Sequence, residues 1–153
     1  LSCSNYRGVK LLDHSFKLWE RIWEIRLRKK IQISARQFGF VAGRGTTEAI
    51  HCLRRLMEKH KEKQSELWMV FVDLEKAFDR VPHDLIWWSL RMKGADEAEI
   101  KMIQDMYKVA VTYIRTPCGS TDEFPVKVGV HQGSSLSPLL FIIVLDAITE
   151  DLS

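Results

Sequence analysis

LWMVFVDLEKAFDRVPH, residues 67–83, decides the fold. Its first eight residues are apolar on both alternating sets, which predicts a central strand covered on both faces rather than a half-exposed one. That strand ends in acids. Asp73 then stands where a carboxylate projects into the crevice at a strand's carboxyl edge, a common place for catalytic groups in α/β sheets. Magnesium prefers one or two carboxylates plus substrate phosphates, and Asp73 with the carbonyl of Leu74 can supply two oxygens. Asp73 can equally cap a turn after the strand. Asp79 can be a second ligand, but a turn or cap leading into the next helix suits it better.

Working outward, Pro82 to Met92 reads as a helix, with Pro82 tolerated in its first turn and Gly94 at its stop. Another helix follows from about Glu97, with Asp96 as cap and Glu99 three residues on. AVTYIRT and EFPVKVGV flank the turn-rich PCGSTD and predict a β-hairpin with a longer loop. Upstream, Leu12, Phe16, Trp19, Trp23 and Leu27 fall in steps of three or four, one face of an amphipathic helix whose other face carries Lys17, Arg21, Arg28 and Lys29. QFGFVAGRGTT, residues 37–47, then leads into a second helix capped by Thr46 or Thr47, with Ile50, Leu53, Leu56 and Met57 as its buried stripe.

A second constellation is GVHQGSSLSPLLFIIVLDAI, residues 129–148. Gly129 and Gly133 let backbone approach a ligand closely, Gln132 offers an amide able to bond a base edge or a sugar, and Ser137 as cap with Pro138 as first residue starts a rigid apolar helix. Phe78 is either core packing or a wall beside a nucleotide sugar. GSSLS is not a nucleophile elbow and no phosphate-binding GxxxxGK[ST] occurs, so hydrolase and P-loop chemistry have no support.

The 153 residues are 46% hydrophobic and 28% charged, the composition of a chain able to bury a real core. The longest apolar run, residues 139–145, is far short of a membrane span, and no signal-peptide pattern opens the chain. Three distant cysteines without a CxxC pair argue against a disulfide framework or a zinc site and for a reduced, intracellular setting. The five histidines lack metal-ligand spacing, so each is expected at the surface or as a satisfied core residue. Residues 1–63 hold 15 Lys and Arg against 6 Asp and Glu, whereas residues 64–153 hold 8 against 14. A basic front suits a surface that follows phosphates, and an acidic rear suits metal binding, although solvated helix faces would look alike.

Together these segments resemble the reverse transcriptases of non-long-terminal-repeat, LINE-type retrotransposons. NYRGVKLL, residues 5–12, is similar to that family's first fingers motif, QFGFVAGRGTTEAI to its second, FVDLEKAFDRVPH to its motif A and GVHQGSSLSPLLF to its motif B. The resemblance implies an α+β fold of right-hand polymerase fingers (1–63, helical and basic) and partial palm (64–153, motifs A and B). It implies that Asp73 binds Mg²⁺ with the Leu74 carbonyl, that Phe78 is the gate rejecting a ribose 2′-hydroxyl, and that Arg7 grips the incoming triphosphate. Gln132 and Gly133 would lie against the template–nascent base pair, and Arg44 near template or triphosphate. The implied partners are an RNA template, a DNA primer, deoxynucleoside triphosphates and the rest of a polyprotein with thumb and endonuclease, in cytoplasm and nucleus.

Two departures accompany the resemblance. Arg7-Gly8-Val9-Lys10 stands where the family usually has Arg-Pro-Ile-Ser, which loosens that loop. The opening on Leu1 suggests a fragment, and motif C, an aromatic-Ala-Asp-Asp hairpin, is expected beyond Ser153. These residues alone are therefore expected neither to polymerise DNA nor to cover the edge of the motif A strand, which favours aggregation. A non-catalytic nucleic-acid-binding remnant and a domesticated protein-interaction module are the alternatives.

Overall fold

The computed structural model describes residues 10–108 and 110–150. In chain order the elements are α1 (His14–Lys30), α2 (Thr46–Glu62), α3 (Ala77–Arg80), α4 (His83–Met92), α5 (Glu97–Lys108), β1 (Val111–Thr112), β2 (Arg115–Thr116), β3 (Gly119–Ser120), β4 (Phe124–Pro125) and α6 (Ser137–Ile148). Helices with two small sheets make the class α+β. The chain divides into two compact units, the first of Leu1–Gln32 with Lys76–Ser153 and the second of Ile33–Glu75, and neither break coincides with residue 64, where the charge balance changes sign.

The first unit is built around α6. This helix is apolar almost all round, and such a helix is stable only when surrounded. Leu139, Leu140, Ile142 and Ile143 are fully or almost fully buried, and α4 packs against both α6 and α5, contributing Ile86 and Leu90 to the core. Each such aliphatic side chain contributes roughly 1.5–3 kcal/mol on leaving water. Asp146 is the exception on α6. It is buried and pairs with Lys93 at 2.9 Å, which offsets the cost of desolvating its charge.

Helix α1 follows its expected face only in part, since Trp23 and Leu27 are buried while Trp19 is exposed. Asp13 caps it by accepting from the Ser15 amide at 2.8 Å. The hairpin expected around PCGSTD forms, with β1 antiparallel to β4 and β2 to β3, in the register Thr112 opposite Phe124 and Arg115 opposite Ser120. At the α5 start the Asp96 amide donates to Glu99 at 2.8 Å, the side chain expected to reach back there.

Two caps differ from expectation. Gly45, not Thr46 or Thr47, occupies the N-cap of α2, and its amide donates to Glu48 at 2.8 Å. Ser137 lies inside α6. The hydroxyl of Ser134 takes the capping role instead, accepting from the amides of Leu136 and Ser137, both at 3.1 Å. A hydroxyl satisfies the orphan amides of a first turn wherever the chain brings it within reach, and the preceding turn brings Ser134.

The larger corrections lie in the second unit. Residues 67–74 form no strand; they have no regular secondary structure and pair with nothing among the described residues, and Trp68 and Val70 are each 88% exposed. Apolarity on both faces states a demand for cover. A strand exists only where a neighbouring backbone takes its hydrogen bonds, and none is supplied here. The stripe expected to bury α2 is likewise open, with Ile50, Leu56 and Met57 exposed. No helix among the described residues is long and apolar enough to cross a membrane.

Candidate active site

Residues 78–82 and 128–133 are stitched together in the first unit. The Val130 amide donates to the Phe78 carbonyl at 2.7 Å and the Gly129 amide to that of Val81 at 2.8 Å, while Pro82 and Val128 form an antiparallel bridge. Gly129 has φ +86°, and a β-carbon there would stand 2.7 Å from the Asp79 carbonyl oxygen. At Gly133, φ +100°, it would stand 2.8 Å from the carbonyl oxygen of Lys10. Both glycines permit close approach, as their sequence context suggested. What approaches them is the chain's own backbone.

Gln132 and Asp79 meet side chain to side chain, Nε2 donating to Oδ1 at 2.7 Å. The Lys10 amide donates to the Gln132 carbonyl at 3.0 Å, so both ends of that residue are held. Lys10 is lowered in pKa by burial, with the Asp79 carboxylate opposing. The Asp79 side chain thus meets Gln132 of the 129–148 segment rather than closing the turn before Pro82. Phe78 stacks on Phe141 of α6 with centroids 4.5 Å apart, which seats its ring against the core.

Behind this junction lies an aromatic cluster. His131 is buried and stacks on Tyr107 at 4.6 Å, and His83 meets the edge of the same tyrosine at 5.0 Å. His83 Nε2 lies 3.0 Å from the Gly129 carbonyl, whereas neither ring nitrogen of His131 has a hydrogen-bond partner among the described residues. His131 is therefore not the satisfied core histidine expected. Burial, with the positive charges of Lys10 and His83, pushes its pKa down to about 4. Burial pushes the Tyr107 hydroxyl up to about 12. Glu20 is also buried and raised by desolvation, although the Ser134 hydroxyl donates to it at 2.7 Å.

Asp73, Leu74 and Arg44 belong to the second unit. Asp73 is exposed, and the covered strand expected to deliver it does not form. Arg44 Nη1 donates to the carbonyls of Ser34 at 2.8 Å and Gln37 at 3.0 Å, pinning its own loop. Arg7 lies outside the described residues. Among the described residues no three or more His, Cys, Asp or Glu are grouped to hold a metal ion. Asp73 and the Leu74 carbonyl present oxygens, the donor type that Mg²⁺ takes, and no cluster among the described residues completes a site around them.

Sequence reasoning missed Glu20, Ser134, and the pairing of Asp146 with Lys93. An acid inside an apolar helix signals a buried partner, and that rule could have found Lys93. Asp146 and Glu150 both sit within 3.0 Å of the Lys93 ammonium.

A sequence model of the family described as reverse transcriptase (RNA-dependent DNA polymerase) matches residues 2–153. The chain is 32% identical over 144 residues to the retrovirus-related Pol polyprotein from type-1 retrotransposable element R2 of Popillia japonica, covering 94% of this chain and 20% of that protein. It is 29% identical over 148 residues to the corresponding polyprotein from type-2 element R2DM of Drosophila melanogaster, covering 97% and 14%. To the RNA-directed DNA polymerase from mobile element jockey of Drosophila funebris it is 30% identical over 149 residues, covering 94% and 16%. It spans a fifth or less of the length of these relatives.

Proposed function

The chain belongs to the reverse transcriptase family and resembles the polymerases of non-long-terminal-repeat retrotransposons, and from that premise we propose that it serves nucleotidyl transfer in an RNA-directed DNA polymerase. The observation that carries the proposal is the family match across residues 2–153. The substrates are an RNA template, a DNA primer and deoxynucleoside triphosphates, with the rest of a polyprotein as partner. Residues 1–63 form the basic fingers and 64–153 part of the palm. The primer 3′-hydroxyl attacks the α-phosphate of the nucleotide and pyrophosphate leaves, a reaction that asks the protein mainly for positioning and charge stabilisation.

Each residue has a place in that scheme. The Asp73 carboxylate and the Leu74 carbonyl are the oxygens that would hold Mg²⁺, and two such ions, when bound, stabilise the attacking and leaving oxygens. Arg7 grips the triphosphate through its planar fork of donors. Phe78, backed by Phe141, presents its ring where a ribose 2′-hydroxyl would stand. Gln132 and Gly133 lie against the template–nascent pair. Arg44 shapes the second fingers loop near template or triphosphate, since its Nη1 is committed to that loop's carbonyls.

Primer extension by the polymerase carrying this chain in its complete reading frame tests the scheme. Asp73→Asn should lower kcat by about a thousandfold or more, the scale of losing a preorganised charge at the reacting phosphate. Phe78→Val should admit ribonucleotides while synthesis continues. Undiminished synthesis by the Asp73→Asn protein would overturn the proposal. The 153 residues alone contain no Ala-Asp-Asp and should not extend a primer.

A further inference from the structure

The side-chain amide of Gln132 is held at its nitrogen only. Its Nε2 donates to Asp79, and among the described residues nothing donates to its Oε1. A carboxylate accepts and never donates, so Asp79 dictates which end of the amide faces it. The reverse orientation would set two acceptor oxygens against each other. This is no chance meeting of mobile side chains. The Val130 amide bound to the Phe78 carbonyl and the tight approach of Gly129 to the Asp79 backbone fix the two segments in register, and the Lys10 amide fixes the backbone of Gln132.

The geometry points to Asp79 as a positioning residue that presents Gln132 as a hydrogen-bond acceptor to a sugar hydroxyl. The inference rests on the placement of Gln132 against the template–nascent pair. Base edges differ from pair to pair in what they donate, whereas a sugar hydroxyl recurs at every step. An outward oxygen that serves any template therefore finds its donor on a sugar. That donor is either the 2′-hydroxyl of the template ribose or the 3′-hydroxyl of the incoming nucleotide.

The experiment measures two ratios of kcat/KM on the polymerase in its complete reading frame: RNA over DNA template, and deoxynucleotide over dideoxynucleotide. Asp79→Asn can donate through its own amide and lets Gln132 turn over. One ratio should fall by about threefold to tenfold, the worth of one hydrogen bond, and which one falls identifies the sugar. Combining Asp79→Asn with Gln132→Glu keeps the net charge and restores an outward acceptor, so the lost ratio should recover. An equal loss on all substrates without recovery would reduce Asp79 to a structural tie, and a loss confined to guanosine positions would assign the acceptor to a base amine; either overturns the proposal. Should Gln132→Ala lower a ratio that Asp79→Asn leaves intact, positioning fails while the place of Gln132 stands. If Gln132→Ala lowers neither while Asp73→Asn still abolishes synthesis, the place of Gln132 fails and the inference with it, but polymerase activity survives.

Discussion

At the scale of single residues, His131 contributes to how the first unit responds to acid. Its pKa is about 4 when folded against roughly 6.5 in an unfolded chain. The unfolded state therefore binds the proton first, and the stability that neutral His131 contributes is complete above pH 6.5 and lost as pH falls toward 4. The loss is no more than about 3 kcal/mol. Glu20 works in the opposite sense, because its raised pKa favours the protonated folded form and its contribution fades as pH rises above the ordinary carboxylate value. Urea unfolding from pH 7.5 to 4.5, followed by tryptophan fluorescence, should show this loss, and His131→Phe, which can still stack on Tyr107, should flatten it. An unchanged slope in the variant would sink the assignment. Histidine spacing argued only against a metal site carried by histidine, whereas burial of both ring nitrogens depends on where Tyr107 and α6 come to rest.

At the scale of elements, the start of α6 shows why patterns locate helices better than caps. SSLSP contains three serines able to cap, and the position beside Pro138 favoured Ser137. The turn before the helix hands the task to Ser134, which also donates to Glu20 of α1. Ser134→Ala should therefore cost about 2 kcal/mol, a cap together with a bond to a buried acid. Ser137→Ala should cost under about 1 kcal/mol. Equal costs in thermal unfolding would contradict this division. Strands differ from helices for a physical reason. A helix closes its hydrogen bonds within one segment, so local signals suffice for α1, α2, α4, α5 and α6, whereas residues 67–74 need a partner from elsewhere.

At the scale of the whole molecule, the two units differ in how they use apolar residues. Leu140, fully buried, should cost about 2–5 kcal/mol when changed to Ala. Leu56, exposed on α2, should cost within about 0.5 kcal/mol when changed to Gln, and denaturant titrations that found the two alike would refute the division into a packed core and an open stripe. By itself the sequence determined helices α1, α2, α4, α5 and α6, the hairpin and the four ordered motifs that lead to the family, because these depend on local periodicity and on residue types at short spacing. Only the tertiary structure decided that Asp79 holds Gln132, that Gly129 and Gly133 admit backbone, that His131 is buried without a partner, and that residues 67–74 stand uncovered. Each of these turns on which distant segments meet, and a pattern of residues states what a segment requires without stating what will be brought against it.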